Sequence, residues 1–505
     1  MREENAVLRQ QNQSLKQQLD WLKRQLFGGK SERRIFAPPQ GQRDIGELLA
    51  EAAVASDAPV ATEELHYTRR KSKQRPEEAL TEQGLRFDES VPVEIIHLPA
   101  PELLGPDAEH YEVIEEKITR RLAQRPGSYV VLEYHRPVVK HKVSGLITAP
   151  AAPEGVFEKS LADVSLLAGL LVDKFTYHIP LYRQHQRLAQ AGITLSRATL
   201  TYWTQRAIEL LRPICDAQLQ HILQSRVLAI DETPIKAGRS KPGKMQAGWL
   251  WPIYGQANEI VFTYSPSRAH RHLKGLLGGF QGVLLSDGYS AYDCYCKSRP
   301  EITQAQCWAH ARRYFVKAEK LEPQATAEAL DYIGALYRIE AQIREQALAG
   351  EPKLAYRATH AKPLAEAFFG WCREQCARVD LVNSNPLAKA LTYVENHRAQ
   401  MSVYLSEPDV PMDTNHLERN LRPIPMGRKN WLFCWTEIGA KHLGIIQSLL
   451  TTCRLQGVDP YAYLVDVLQR VGLHQASRVE ELTPRLWKEK FQAHALKSDL
   501  DRLGQ

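Results

Sequence analysis

The sequence predicts a multidomain α/β protein built around a mixed sheet, with smaller helical and β-rich units ahead of it. Three observations carry this. At 505 residues the chain is too long for one domain, and 44% hydrophobic with 24% charged residues is a globular balance that can bury several cores. Two apolar runs that read as buried strands each end on an aspartate, at Val227-Leu-Ala-Ile-Asp231 and Val283-Leu-Leu-Ser-Asp287. Around them, strand patterns alternate with helical ones, the grammar of a mixed sheet covered by helices.

Residues 1–30 carry a heptad pattern. Leu8, Leu15 and Leu22 share one seam position, and Asn5, Asn12, Leu19 and Leu26 the other. Asparagine in a seam lowers stability but fixes register and favours two strands, so a coiled-coil dimer is expected here. Residues 31–80 are polar and irregular, a linker by composition. It contains the basic run Arg69-Arg-Lys-Ser-Lys-Gln-Arg75, suited to phosphate contact. Residues 81–150 switch to strand patterns, with a hairpin expected from Tyr111–Leu122 and Tyr129–Lys142 about a Pro126-Gly-Ser turn. With no cysteine here, no metal is expected to staple this unit. Within 160–215, a helix over Ile179–Ala191, a break at Gly192 and a second helix capped by Thr194 or Ser196 outline a helix-turn-helix. Its second helix would present Arg197, Thr199 and Thr201 to a DNA major groove.

The region 222–435 is the expected core. Strands over Arg226–Asp231, Trp249–Tyr254 and Glu259–Tyr264 are followed by a helix near His270–Leu277. The strand ending at Asp287 and another over Thr303–Cys307 then lead into the helix that begins at Trp308. That succession is a mixed sheet of the ribonuclease-H-like kind. Asp231-Glu-Thr-Pro234 reads as a turn after the first strand. Helical periodicity from about 320 to 405 marks an insertion, and Asp413-Thr-Asn-His-Leu-Glu418 reads as a capped helix start carrying a third acid. Residues 436–475 form a C-terminal helical cap, and 476–505 a charged, partly frayed tail.

The net charge of +7 permits a nucleic-acid partner without demanding one. The polar start lacks the apolar stretch of a signal peptide, and the longest apolar run, Leu166–Val172, is far too short to span a bilayer. A cytoplasmic, nucleoid-associated protein with no membrane partner is the expectation. Eight scattered cysteines are no disulfide scaffold. Cys294-x-Cys296 with Cys307-x-x-His310 has zinc-ligand types at a spacing no standard finger uses, so buried or incidental thiols are expected instead.

Asp231, Asp287 and Glu418 are the candidate catalytic and metal-ligating residues. Phosphodiester chemistry needs an activated hydroxyl and a stabilised leaving oxygen, which two divalent cations supply together. Mg²⁺ takes oxygen ligands, so carboxylates are the right residues; Mn²⁺ would substitute. On the third-acid helix, Asn415 at i−3 and Arg422 at i+4 share a face with Glu418, where Asn415 could orient the carboxylate or touch a DNA phosphate and Arg422 grip the DNA backbone. Arg312, Arg313, Arg419, Arg428 and Lys429 complete the candidate DNA contacts.

The motifs Leu228-Ala-Ile-Asp231-Glu-Thr-Pro234-Ile-Lys, Ser286-Asp287-Gly-Tyr, Cys307-Trp-Ala-His310-Ala-Arg-Arg, Asn415-His-Leu-Glu418-Arg-Asn-Leu-Arg422-Pro and Gly427-Arg-Lys-Asn430-Trp-Leu-Phe433 together resemble the insertion-sequence-66 family of bacterial DDE transposases. The likeness extends from Leu19–Ser31 to Asp459-Pro-Tyr-Ala-Tyr-Leu464. It implies a triad of Asp231, Asp287 and Glu418, Mg²⁺ dependence and cut-and-join chemistry at the ends of a mobile element. The implied partners are double-stranded DNA (element ends and target), further copies of the chain in at least a dimer, and small accessory proteins of the same element. Many members carry a cysteine zinc unit ahead of the helix-turn-helix. This chain has no cysteine between Met1 and Ile214, so zinc is not carried over. Residues 90–145 then either bind DNA without zinc or only support the fold. For His310 and Arg312, sheet packing and DNA contact both stay open.

Two other readings compete. A plain ribonuclease-H-like nuclease would use the same acids for hydrolysis alone, but leaves the dimerising N-terminus and the helix-turn-helix without a purpose. A DNA-binding relic or regulator with an inactive core would not need all three acids.

Overall fold

The computed structural model describes residues 86–502, apart from positions 88, 90, 106, 107, 126, 159, 242 and 433. The heptad segment and the basic run lie outside the described residues. Among those described, no helix is long and apolar enough to cross a membrane.

The first part is β-rich: β1 (Arg86–Phe87), β2 (Val93–His97), β3 (Tyr111–Arg125), β4 (Ser128–His141) and β5 (Ile147–Thr148). Strands β3 and β4 form the expected hairpin, longer than the sequence pattern suggested, and Gly127 takes the positive φ of the turn. β2 adds parallel to β4, giving the order β2-β4-β3. One face packs Ala123, Val130, Leu132 and Tyr134 against Leu500, whereas the other leaves Ile95 and Ile118 exposed.

A helical region follows, with α1 (Val164–Phe175), α2 (Leu181–Gln190), β6 (Ile193–Thr194), α3 (Arg197–Leu210) and α4 (Arg212–Ile222). Asp163 caps α1 through the Ser165 amide and Ser196 caps α3 through that of Thr199, each satisfying an amide with no partner inside the helix. Gly192 turns the chain between α2 and α3 at φ 79°.

The central sheet contains β7 (Val227–Ile230), β8 (Thr233–Lys241), β9 (Lys244–Gly255), β10 (Glu259–Ser265), α5 (Arg271–Leu277), β11 (Gly282–Ser286), α6 (Ser290–Lys297) and β12 (Ile302–Gln306). Helix α7 (Trp308–Ala318) leaves its end. The order is β10-β9-β7-β11-β12, with β8 also on β9. β7, β11 and β12 run parallel, and β9 and β10 antiparallel to their neighbours. All four residues of β7 are buried, as a strand covered on both faces requires. Strand β8 departs from expectation. The stretch read as a turn is only two irregular residues, Asp231-Glu232, after which the chain runs as a nine-residue strand. Thr233, Ile235 and Ala237 point inward at period two, and Pro234 is tolerated because it stands at the strand's start.

Between the sheet and the third acid lie α8 (Pro323–Glu345), α9 (Gly350–Tyr356), a π-helical turn at Arg357–Ala361, α10 (Lys362–Cys376) and α11 (Pro386–Ser402). Trp308, Phe315, Phe368, Phe369 and Trp371 make the aromatic centre on which these helices sit. Arg357 is fully buried yet satisfied: it binds both oxygens of Glu340 at 2.8 Å and the carbonyls of Tyr404, Glu407 and Val410.

The chain closes with α12 (Asn415–Leu421), α13 (Pro423–Trp431), α14 (Glu437–Gln456), α15 (Pro460–Arg470), α16 (Pro484–Lys490) and α17 (Asp499–Arg502). α14 lies along β10, the outer strand of the sheet. Ser448 Oγ accepts the Phe262 amide at 2.8 Å and Thr452 Oγ1 the Ile260 amide at 3.2 Å, pairing the edge groups a terminal strand leaves open. The expectation of a frayed tail does not hold for the described residues. Leu482 and Trp487 are buried, Trp487 Nε1 donates to Asp466 at 3.0 Å, and Ser498 donates to Asp163 at 2.6 Å. Charge count suggested a solvated end, but the few large apolar residues set its path.

Candidate metal centre at the strand ends

β7 and β11 are parallel neighbours with Val227 opposite Val283 and Ala229 opposite Leu285. Continuing that register past both strand ends sets Asp231 beside Asp287. Carboxylate oxygens of Asp231, Glu232 and Asp287 all lie within 4.8 Å of one another. Asp231 accepts the Glu232 amide at 2.7 Å, and Asp287 accepts the Tyr289 amide at 3.0 Å, so each is oriented by its own turn. Burial, then the negative charge of Glu232, and more weakly Asp287 and Glu418, push the Asp231 carboxyl up to about 7. Asp287 is raised by burial and by Glu232, against the pull of His310 and Arg268. An oxygen-only donor set of crowded carboxyl groups suits a hard divalent cation.

Glu232 was not singled out in the sequence. It is only 8% exposed and accepts from the Arg268 guanidinium and from the Tyr292 hydroxyl. Arg268 stacks over the Tyr289 ring at 3.6 Å and faces Trp249 at 5.0 Å, which fixes its fork. Glu232 therefore backs the aspartates with its own charge already paired. Its only sequence signal was adjacency to Asp231.

Glu418 arrives from another direction. Cys307, at the end of β12, accepts from the amide and hydroxyl of Thr414 at 3.3 and 3.2 Å, and Thr414 in turn starts the helix that carries Glu418. The buried Cys307 thiol is thus a positioning group for α12. The Glu418 carboxylate receives the Arg313 guanidinium and stands 3.8 Å from His310 Nε2. Burial and Arg313 lower the His310 pKa, against the pull of Asp287 and Glu418. The helical insertion reaches the site too. Tyr393 of α11 hydrogen-bonds Gln306, and its ring would lie 2.5 Å from a Cβ placed at Gly288, so only glycine fits after Asp287.

The other candidates separate. Asn415 does not orient Glu418: its amide donates to Asp413 at 2.5 Å, because Asp413 also takes the Asn415 backbone N–H. α12 ends at Leu421, and Arg422 lines a cavity of about 620 Å³ with Arg419, Arg454 and His178. Arg428 is half-buried and donates to the Pro234 carbonyl, tying α13 to β8. Arg312 and Lys429 are exposed, Arg312 on the same helix as Arg313. On α3, Arg197 is exposed over the Tyr182 ring at 5.9 Å. The hydroxyls of Thr199 and Thr201 are engaged by Ser196 and by the Arg197 carbonyl, and Tyr202, Gln205 and Arg206 are exposed on the same helix.

Comparison with known proteins supplies the family. Residues 159–442, more than half of the chain, match the model described as the transposase IS66 family. Residues 448–485 match the IS66 C-terminal element, and 14–96 match transposase C of IS166 homeodomain. Among curated relatives, the uncharacterised protein y4jD of Sinorhizobium fredii (strain NBRC 101917 / NGR234) is 33% identical over 68% of this chain and 70% of its own length. Two more from that strain, y4hP and y4qI, are 31% and 28% identical, each over 74% of this chain and 71% of their own. The two strand-end aspartates thus sit within a matched segment that also holds Glu418, and the chain belongs to the IS66 family of transposases.

Proposed function

We propose that the chain is a DDE-type DNA transposase that binds the ends of its insertion sequence and uses Asp231, Asp287 and Glu418 for metal-dependent strand cleavage and strand transfer. The observation that carries the reading is the placement of two aspartates, on adjacent parallel strands, within 4.8 Å of each other and in electrostatic reach of Glu418. The sheet order β10-β9-β7-β11-β12 supports a ribonuclease-H-like core, since three antiparallel strands followed by two parallel ones is the succession such a core uses.

Asp231, Asp287 and Glu418 would hold Mg²⁺, or Mn²⁺ in its place. Ions bound there would activate the attacking hydroxyl and stabilise the leaving oxygen. Glu232 keeps the two aspartates crowded and high in energy until they are neutralised. Arg312 and Arg313, exposed on α7, would contact a DNA phosphate, and the exposed Arg197 and Arg206 of α3 would contact duplex DNA. Pairing of element ends through a dimeric N-terminus, and help from accessory proteins, belong to the same proposal.

The test is strand joining in Mg²⁺ with labelled element-end DNA, accessory proteins supplied, comparing wild type with Glu418→Gln and Glu232→Gln. Cleavage and joining by wild type, with a Glu418→Gln protein that binds DNA but does neither, supports the assignment. Equal joining by Glu418→Gln with loss in Glu232→Gln moves the third ligand to Glu232. Binding without reaction in the wild type leaves a DNA-binding relic.

A further inference from the structure

The absence of cysteine from the β-rich unit suggested that no metal could hold it, but its histidines lie outside that argument. His97 on β2, His135 on β4 and Glu116 on β3 offer ligand atoms that all lie within 4.8 Å of one another. Their meeting follows from the register. His97 is the direct partner of His135 across the parallel pair. Ile118 is the partner of His135 across the antiparallel pair, which places Glu116 on the adjacent diagonal of the same face.

From this geometry we propose that His97, Glu116 and His135 form a site for a borderline transition-metal ion such as Zn²⁺, distinct from the acidic centre at the strand ends. Two imidazoles and a carboxylate are the donor set that selects zinc, cobalt or nickel over magnesium, and three protein ligands leave a fourth position open. Bonds of about 2.1 Å at tetrahedral angles put ligand atoms roughly 3.4 Å apart. His135 Nδ1 and Glu116 Oε2 stand at 2.6 Å, and His97 Nδ1 and Glu116 Oε1 at 4.0 Å. Small rotations of exposed side chains bridge that difference, since the His97 side chain is 76% exposed.

The surroundings of His135 strengthen the assignment. Its other nitrogen, Nε2, lies 2.7 Å from Glu133, and Glu133 is held by Arg120 Nε at 2.5 Å. A ligating histidine characteristically donates its second N–H to a carboxylate, which fixes the tautomer and leaves the first nitrogen free to bind metal. Here the orienting carboxylate is already in place and anchored. As it stands, His135 bridges two carboxylates; with an ion bound, Nδ1 gives up its proton and both Glu116 and Nδ1 turn to the ion. The ion would tie the short outer strand β2 to β3 across β4, on the face that hydrophobic packing leaves uncovered.

The test uses the full chain in excess Mg²⁺, which occupies oxygen-only sites but competes poorly for imidazole. Zn²⁺ is titrated by calorimetry, and Co²⁺ is followed by its visible d–d bands. The expected result is one Zn²⁺ per chain that is retained in Asp287→Asn and lost in His97→Ala and in Glu116→Ala. Glu133→Gln should weaken it by about 10- to 100-fold. Because His97 is exposed, its loss should leave the fold intact, which circular dichroism checks. Crystals soaked in Zn²⁺ provide an independent measure, with an anomalous peak expected among the three side chains. Unchanged Zn²⁺ binding in His97→Ala, or binding abolished by Asp287→Asn alone, overturns the proposal.

Discussion

Arg313 and Glu418 form an ion pair, the guanidinium of α7 donating to the carboxylate carried by α12. On the role proposed for Glu418, a cation at the same carboxylate competes with Arg313 for its charge. An exposed pair of this kind is worth about 0.2–1 kcal/mol. Arg313→Gln is therefore expected to tighten Mn²⁺ binding by up to about fivefold, read by electron paramagnetic resonance titration. Unchanged or weaker binding would show that Arg313 holds Glu418 in its ligating position instead.

Glu232 makes the opposite kind of contact, buried and fully paired. Glu232→Ala would strand the Arg268 guanidinium and the Tyr292 hydroxyl together. A loss of about 3–5 kcal/mol is expected, measured by urea denaturation. Tyr292→Phe removes one hydrogen bond to a charged group and should cost about 1.5–3 kcal/mol. If both substitutions fall within 0.5 kcal/mol of wild type, the network does not support the aspartates.

The raised Asp231 carboxyl gives a pH signature. Its folded value, about 7, lies above its ordinary value of 3.8. Between the two, the folded chain holds a proton that the unfolded chain has released. This contribution to stability is present below about pH 4 and is lost as pH rises through about 7. In EDTA, stability should fall more steeply from pH 4 to pH 7 for wild type than for Asp231→Asn, and added Mg²⁺ should restore it at the upper end. Identical slopes for the two proteins would place the proton elsewhere.

Gly288→Ala tests how the insertion meets the site. A Cβ there would overlap the Tyr393 ring, so either the Asp287 turn or α11 must shift. Strand joining should fall at least tenfold, while DNA binding by electrophoretic shift stays unchanged. Recovery of joining in Gly288→Ala combined with Tyr393→Leu would confirm the steric cause.

What the sequence disclosed depended on distance along the chain. Asp231 and Asp287 were legible because an apolar run ending in an acid is a local pattern, and the parallel register then brings the two together. Thr233–Lys241 was not, because its small and charged residues mask the period-two burial and Pro234 imitates a turn. Glu232, Arg268 and Tyr292 meet across separations of 36 and 60 residues, which no periodicity encodes. His97, Glu116 and His135 required the strand register, and attention to cysteine concealed them. The orienting role expected of Asn415 toward Glu418 failed for a local reason: helical spacing ignored the nearer Asp413.

The pairing of α14 with β10 bears on what a shortened gene would make. A product ending before Thr436 would retain Asp231, Asp287 and Glu418. It would lose the serine and threonine hydroxyls that close the outer strand, leaving the amides of Ile260 and Phe262 free to recruit another chain. Such a fragment would not be a silent remnant carrying three acids. It would be one with an open strand edge, a template for pairing with another chain.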